Sequence, residues 1–120
     1  MKYFIFDLDD TLLNNNRKVS DYSLKGINIL KENDFLIVIN TARSFRATKE
    51  IYDIIKPDYC ICNAGATIYD ANNNLIFKRT ISIEHTNEYL DIIKNSVNIK
   101  NFSIQTINNL YTCDKEYAIK

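Results

Sequence analysis

The stretch Tyr3-Phe4-Ile5-Phe6-Asp7-Leu8-Asp9-Asp10-Thr11-Leu12-Leu13 decides how this chain folds. Tyr3 to Phe6 are aromatic or β-branched with no polar alternation, the pattern of a central parallel strand covered on both faces. The run then breaks into carboxylates at Asp7, Asp9 and Asp10. Open α/β sheets place their ligand crevice at the carboxyl ends of the strands, so Asp7 and Asp9 fall where a ligand would bind. Carboxylates crowded there repel one another unless a cation is shared among them. Mg²⁺ suits that purpose, because hard cations prefer carboxylate and carbonyl oxygen. The competing reading is an Asp-rich turn that caps the following helix.

Outward from this stretch, strands and helices alternate. Val19-Ser20-Asp21 opens a helix whose apolar stripe is Leu24, Ile27 and Leu30, with Gly26 expected to let it approach the sheet and Asn33-Asp34 expected to end it. Phe35 to Ile39 is a second fully apolar strand, running into Asn40-Thr41-Ala42-Arg43-Ser44. Ala47, Ile51, Ile54 and Ile55 then follow helical spacing, with Thr41 or Ser44 available as the N-cap. Pro57 introduces a third strand, Tyr59 to Cys62, and strand–helix alternation of this kind implies right-handed crossovers and a parallel sheet. Asn63-Ala64-Gly65-Ala66 leads into a hairpin that turns at Ala71 to Asn74 and returns from Leu75 to Arg79. Beyond Ser82 the pattern changes to a helix from Ile83 to Ser96, then short strands near Phe102 to Thr106 and Leu110 to Cys113.

Asp7-x-Asp9-x-Thr11 followed by Leu12-Leu13, after an apolar strand, resembles motif I of the haloacid dehalogenase-like (HAD) superfamily, most of whose members are phosphohydrolases. Thr41-Ala42-Arg43 after the second strand resembles motif II, and the N-x-G-A segment at Asn63 resembles the Cof-type, C2-capped branch, which is similar to sugar phosphatases. The resemblance implies an α/β fold: an incomplete Rossmann-like core with a β-hairpin over 1–80, then the start of an α/β cap over 81–120. It implies that Asp7 is the nucleophile that takes the phosphoryl group, and that Asp9 is the acid for the leaving alcohol and the base for water. Mg²⁺ would be held by the Asp7 carboxylate and the Asp9 backbone carbonyl. Thr11 would hold the loop through a local bond of its hydroxyl to backbone. Asp10 stands in a slot that is often Gly in the family and is given no catalytic role.

In the same reading Thr41 donates to a phosphate oxygen, and the Thr41-Ala42-Arg43 loop and Arg43 guanidinium contact phosphate or substrate. Ala42 stands where that branch usually has Gly, which costs backbone freedom. Asn63 and Gly65 are candidates for substrate-side contacts, or simply a tight turn in which Gly supplies positive φ. A complete member of the family carries two further motifs, a lysine and an acidic pair. Neither is recognisable here, and Lys56, Lys78, Lys115 and Asp114 lie in the wrong contexts. Without later strands beside it, the Tyr3 to Phe6 strand would be an exposed edge through which the chain self-associates.

Composition bounds the remaining classes. Lys plus Arg and Asp plus Glu each number 15, so no electrostatic footprint for nucleic acid or an anionic membrane exists. No apolar run approaches the roughly 18 residues of a membrane span and no signal peptide precedes Asp7, so a cytoplasmic protein is expected. Cys60 and Cys62 alternate along one strand and face the same side; with Cys113 distant, they make a poor zinc site. His85 is expected at the surface. Two functional classes stay open: a Mg²⁺-dependent phosphatase of small phosphorylated metabolites, sugar phosphates first, or a catalytically incomplete HAD-like protein that serves as a binding or assembly module.

Overall fold

Strand β1 (Lys2–Phe6) pairs in parallel with β2 (Phe35–Asn40), and β2 pairs in parallel with β3 (Tyr59–Cys62). The computed structural model describes residues 1–96, 99 and 101–113. A helix follows each of the first two strands: α1 (Asp21–Glu32) and α2 (Phe45–Ile55). Antiparallel β4 (Thr67–Asp70) and β5 (Leu75–Lys78) then extend the sheet in the order β1-β2-β3-β4-β5. The fold is therefore α/β, with a Rossmann-like parallel half continued by an antiparallel hairpin. Phe6 lies beside Ile39 and Asn40 beside Ile61, so the three parallel strands finish together at their carboxyl ends.

Local chemistry sets the helix ends. The Ser20 hydroxyl accepts the Ser23 N–H at 3.1 Å to start α1, and Asp34, at φ 61°, turns the chain away after its end. The Ser44 hydroxyl accepts the Ala47 N–H at 3.4 Å to start α2, which ends at Lys56 in the left-handed region (φ 50°) before the buried Pro57. Ser44 is thus the cap and Thr41 is left for other work.

The core lies between the sheet and the two helices. Ile37, Ile39, Cys60 and Cys62 are completely buried, joined by Ile27 of α1 and by Ile51, Tyr52 and Ile55 of α2. The buried face of α2 is Thr48, Ile51, Tyr52 and Ile55; Ala47 and Ile54, expected in its stripe, are exposed because they lie one residue off that face. Gly26 also departs from expectation. It faces solvent with no atom within 4 Å of the position a Cβ would take, so it permits no close approach to the sheet. The Cys60 and Cys62 sulfurs sit 3.5 Å apart inside the core, where their hydrogen bond and burial push the Cys60 thiol up and keep it protonated.

β1 forms the edge of the sheet rather than the centre its apolar character suits, the position expected without later strands beside it, and Tyr3, Phe4 and Ile5 are 49%, 43% and 58% exposed. An apolar strand fit for cover on both faces has a hydrogen-bonded neighbour on one side only among the described residues. The unpaired edge of the strand is the cost.

The chain divides into two compact units, Met1–Arg79 and Thr80–Lys120. The second contains α3 (Ile83–Asn95), capped by the Ser82 hydroxyl on the His85 N–H at 3.2 Å, and an antiparallel pair, β6 (Ser103–Gln105) and β7 (Leu110–Thr112). Leu90 and Ile93 of α3 are half-buried, whereas Tyr89 and Ile92 are exposed. His85 lies at the surface, its Nδ1 2.7 Å from the Ser82 hydroxyl. Residues 114–120 of the expected cap, with Asp114 and Lys115, lie outside the described residues. No described helix is long and apolar enough to cross a membrane.

Candidate active site

Three loops leave the carboxyl ends of β1, β2 and β3 together, and they carry the candidate site residues Asp7, Asp9, Thr11, Thr41, Ala42, Arg43, Asn63 and Gly65. Asp7 follows β1 directly, in extended backbone (φ −84°, ψ 166°) at the start of the Leu8–Leu12 turn. Its side chain makes no capping hydrogen bond to that turn. An Asp kept only to cap would bond the backbone amides it precedes, so the capping reading fails for Asp7, whose carboxylate is exposed and uncommitted among the described residues.

The turn itself has an abrupt path. Asp9 is extended (φ −72°, ψ 133°), Asp10 is left-handed (φ 56°, ψ 12°), and the Leu13 N–H closes the turn on the Leu8 carbonyl at 2.9 Å. Asp10 therefore stands where Gly would be at ease, and Asp is one of the few side chains that tolerate the position. Leu8 is wholly buried and pins the turn to the core. That closure comes from backbone and Leu8 rather than from the Thr11 hydroxyl; Thr11 is exposed.

Asp9 points to the second loop. Arg43 Nε donates to Asp9 Oδ2 at 2.8 Å and Arg43 Nη2 to Oδ1 at 2.5 Å, a two-pronged ion pair across 34 residues of sequence. The Arg43 hydrogen bond holds the Asp9 carboxyl below its ordinary value, opposed by slight burial and aided by the charges of Arg43 and Arg17. The pair thus favours the ionised form of Asp9. Arg43 is pushed up by the same bond, and the charge of Asp7 adds to it. The guanidinium thus bonds Asp9 and feels the charge of Asp7.

Thr41 is buried, and its backbone N–H bonds the Ile61 carbonyl at 2.9 Å. Its hydroxyl oxygen accepts the Arg43 N–H at 3.2 Å, which leaves the hydroxyl proton for another acceptor. Ala42 is exposed and is not among the residues of positive φ, so its methyl is accommodated where the resemblance led to the expectation of glycine. The third loop locks onto the second: the Asn63 N–H donates to the Arg43 carbonyl at 2.8 Å and the Ala64 N–H to the Thr41 carbonyl at 3.3 Å. Asn63, Ala64 and Gly65 all have positive φ (52°, 52° and 96°), and the Asn63 amide donates to the Thr67 hydroxyl at 3.1 Å. The Asn63 side chain is therefore turned into its own hairpin, while the backbone of the loop braces the Arg43 loop.

Two contributors escaped the sequence reading. Arg17 acts on Asp9 through its charge, from the turn in which Asn14 Oδ1 accepts the N–H groups of Asn16 and Lys18, both at 3.0 Å. The basic pair Arg17-Lys18 so close to Asp7 and Asp9 was the available signal. Ala64 was the other, hidden because an alanine in the left-handed region has no sequence mark.

Mg²⁺ asks for hard oxygen donors. Asp7 offers a carboxylate of the right type, whereas that of Asp9 is engaged by Arg43. Among the described residues no group of three or more His, Cys, Asp or Glu is placed to hold a metal. The donors present fit the ion in kind and supply part of a shell.

The family model described as haloacid dehalogenase-like hydrolase matches residues 4–120. Among curated relatives, the 5-amino-6-(5-phospho-D-ribitylamino)uracil phosphatase YcsE of Bacillus subtilis is 29% identical over 112 residues, which cover 92% of this chain and 44% of that protein. An uncharacterized protein of Mycoplasma capricolum is 33% identical over 105 residues, 81% of this chain and 39% of its own length. Among solved structures, a haloacid dehalogenase-like hydrolase from B. subtilis superimposes with a TM-score of 0.86 at 22% identity, over 99% of this chain and 41% of that one. A sugar phosphatase of HAD subclass IIB does so at 0.74 and 19% identity, over 93% and 44%. This chain spans less than half the length of each of them. With the match running from the first strand onward through the loops of Asp7, Arg43 and Asn63, the chain belongs to the haloacid dehalogenase-like hydrolase family.

Proposed function

We propose that this chain carries the nucleophile half of a Mg²⁺-dependent phosphatase of the C2-capped, subclass IIB type, acting on small phosphorylated metabolites, with sugar phosphates first. The observation that carries the reading is the pairing of an uncommitted Asp7 with an Asp9–Arg43 fork at the carboxyl end of a parallel sheet. In this reading an Asp7 oxygen attacks phosphorus in line, the bond from phosphorus to the substrate oxygen breaks, and Asp9 in its protonated form gives that oxygen its proton. Water then attacks the aspartyl phosphate, Asp9 takes its proton, and phosphate leaves with Asp7 restored. Thr41 donates its hydroxyl proton to a phosphate oxygen, and Arg43 offers its guanidinium to the same group. Ala42 and Gly65 contribute backbone, and Asn63 braces the Arg43 loop.

The Asp7 carboxylate and the Asp9 backbone carbonyl would hold Mg²⁺, which supplies charge neutralisation for the transferring group. The relative YcsE, named as a phosphatase of a phosphoribityl compound, and the structural neighbour described as a subclass IIB sugar phosphatase both support the substrate class. We assign the protein to the cytosol on the reduced, buried Cys60 and Cys62. We assign self-association to the open edge of β1, and the cap to the unit that begins at Thr80. A second reading, a phosphate-binding or assembly module without turnover, draws on the partial metal shell among the described residues.

The test is hydrolysis of para-nitrophenyl phosphate with and without Mg²⁺, with Asp7→Asn as control and circular dichroism to check that both proteins fold. Mg²⁺-dependent turnover abolished by Asp7→Asn supports the enzyme. A folded chain without turnover supports the module.

A further inference from the structure

We propose that Arg43 is a positioning residue shared between Asp9 and an arriving phosphate group, holding the Asp9 carboxylate first and exchanging it for phosphate oxygens on binding. The inference deepens the proposed function and rests on its phosphate site. A guanidinium presents the same planar fork to a carboxylate and to a phosphate. Asp9 occupies the Nε–Nη2 edge of the guanidinium, so phosphate can take that edge only by displacing the carboxylate.

The two partners differ in how firmly they are held. The Arg43 side chain is 21% exposed and that of Asp9 48%. Arg43 is tied at its backbone on both sides, its N–H to the Thr41 hydroxyl at 3.2 Å and its carbonyl to the Asn63 N–H at 2.8 Å. Asp9 sits in the exposed turn with a left-handed Asp10 after it. Of the two, Asp9 is the side chain that yields. Exchange then couples two events: the phosphate group is gripped, and the acid–base carboxylate becomes free to turn to the substrate oxygen only once substrate has arrived. A plain surface ion pair that joins two loops would do neither.

The test is calorimetric titration of inorganic phosphate into four proteins: the wild type, Asp9→Asn, Arg43→Ala and the double variant, with thermal unfolding to establish that each is folded. The amide that Asp9→Asn introduces carries no charge, so the fork is given up more readily. Phosphate is expected to bind Asp9→Asn about fivefold more tightly than wild type, the upper end for a half-exposed ion pair. In the Arg43→Ala background the same substitution is expected to change affinity by less than about twofold, since no fork remains to compete for. Arg43→Lys keeps the charge without the fork, so it serves if Arg43→Ala fails to fold; adding Asp9→Asn to it should also give less than that gain.

An equal gain with and without Arg43 overturns the exchange, because it means that Asp9 merely repels phosphate. No gain in either background overturns it too. Phosphate bound by none of the proteins overturns it together with the phosphate site on which it rests, whereas binding without coupling leaves that site standing.

Discussion

Ala64→Gly removes a methyl group from a residue held at φ 52°, in the left-handed region, and the expected result is a more stable protein. An L-residue with a Cβ costs about 1–2 kcal/mol in that region, a cost glycine does not bear. Against this, glycine gives the unfolded chain more freedom, worth about 0.4–1 kcal/mol. Packing does not enter, because Ala64 is exposed. The Ala64 N–H keeps its bond to the Thr41 carbonyl in the variant, since glycine has the same amide. The balance is a gain of about 0.7 kcal/mol, which moves the urea midpoint up by about 0.4 M for a slope near 2 kcal/mol per M. Urea unfolding followed by circular dichroism reads this directly. Gly65→Ala next door provides the opposite sign: at φ 96° a Cβ is strained even though it meets no atom within 4 Å, so a loss of about 1 kcal/mol or more is expected. A lower midpoint for Ala64→Gly would refute the backbone reasoning, as would an unchanged midpoint for Gly65→Ala. In that case the loop between β3 and β4 does not have the left-handed path described.

Two more outcomes follow from the fold. The Asp70 carboxylate accepts the Asn74 amide at 3.0 Å and the N–H groups of Asn74 at 2.8 Å and Asn72 at 2.9 Å, and these bonds hold its carboxyl below the ordinary value of 3.8. A carboxyl depressed in the folded state gives stability that is full above its unfolded value and lost as pH falls toward the folded one; thermal unfolding below about pH 4 should therefore fall more steeply for wild type than for Asp70→Asn, and parallel curves would sink the assignment. Ile5→Lys places a charge on the exposed edge strand, 58% open at that residue, and should lower the self-association seen by light scattering, whereas a wild type already monodisperse as a monomer would count against the β1 edge as a contact surface.

Much of the frame was legible because it depends on local signals. Apolar runs of strand length gave β2 and β3, Ser20 and Ser44 marked helix starts through capping, and Ala71 to Asn74 marked the hairpin turn. Where the reading went astray, the missing information was tertiary. The apolar character of Tyr3 to Phe6 told what would cover the strand but not whether this chain supplies it. Gly26 lies in sequence within the apolar stripe, although a helix turned by one position puts it in solvent. Ala47 and Ile54 failed for the same reason, since a window of apolar residues defines a face only to within about one residue.

The candidate site was legible as residue types and illegible as pairings. Asp7, Asp9, Thr41 and Arg43 could be named because they lie in the short segments after two apolar strands, carried to the same end of the sheet, and because those segments resemble motifs I and II of the HAD superfamily. Nothing in the sequence says that Arg43 meets Asp9, since the two lie 34 residues apart and either could have faced a ligand or solvent. That contact changes the chemistry. The guanidinium favours the ionised carboxylate, yet the first displacement of the proposed mechanism asks the same group to donate a proton. The proposed roles agree only if Arg43 lets Asp9 go when phosphate comes, so the geometry of the ion pair, more than the identity of either residue, makes the order of events in the proposed site a physical question.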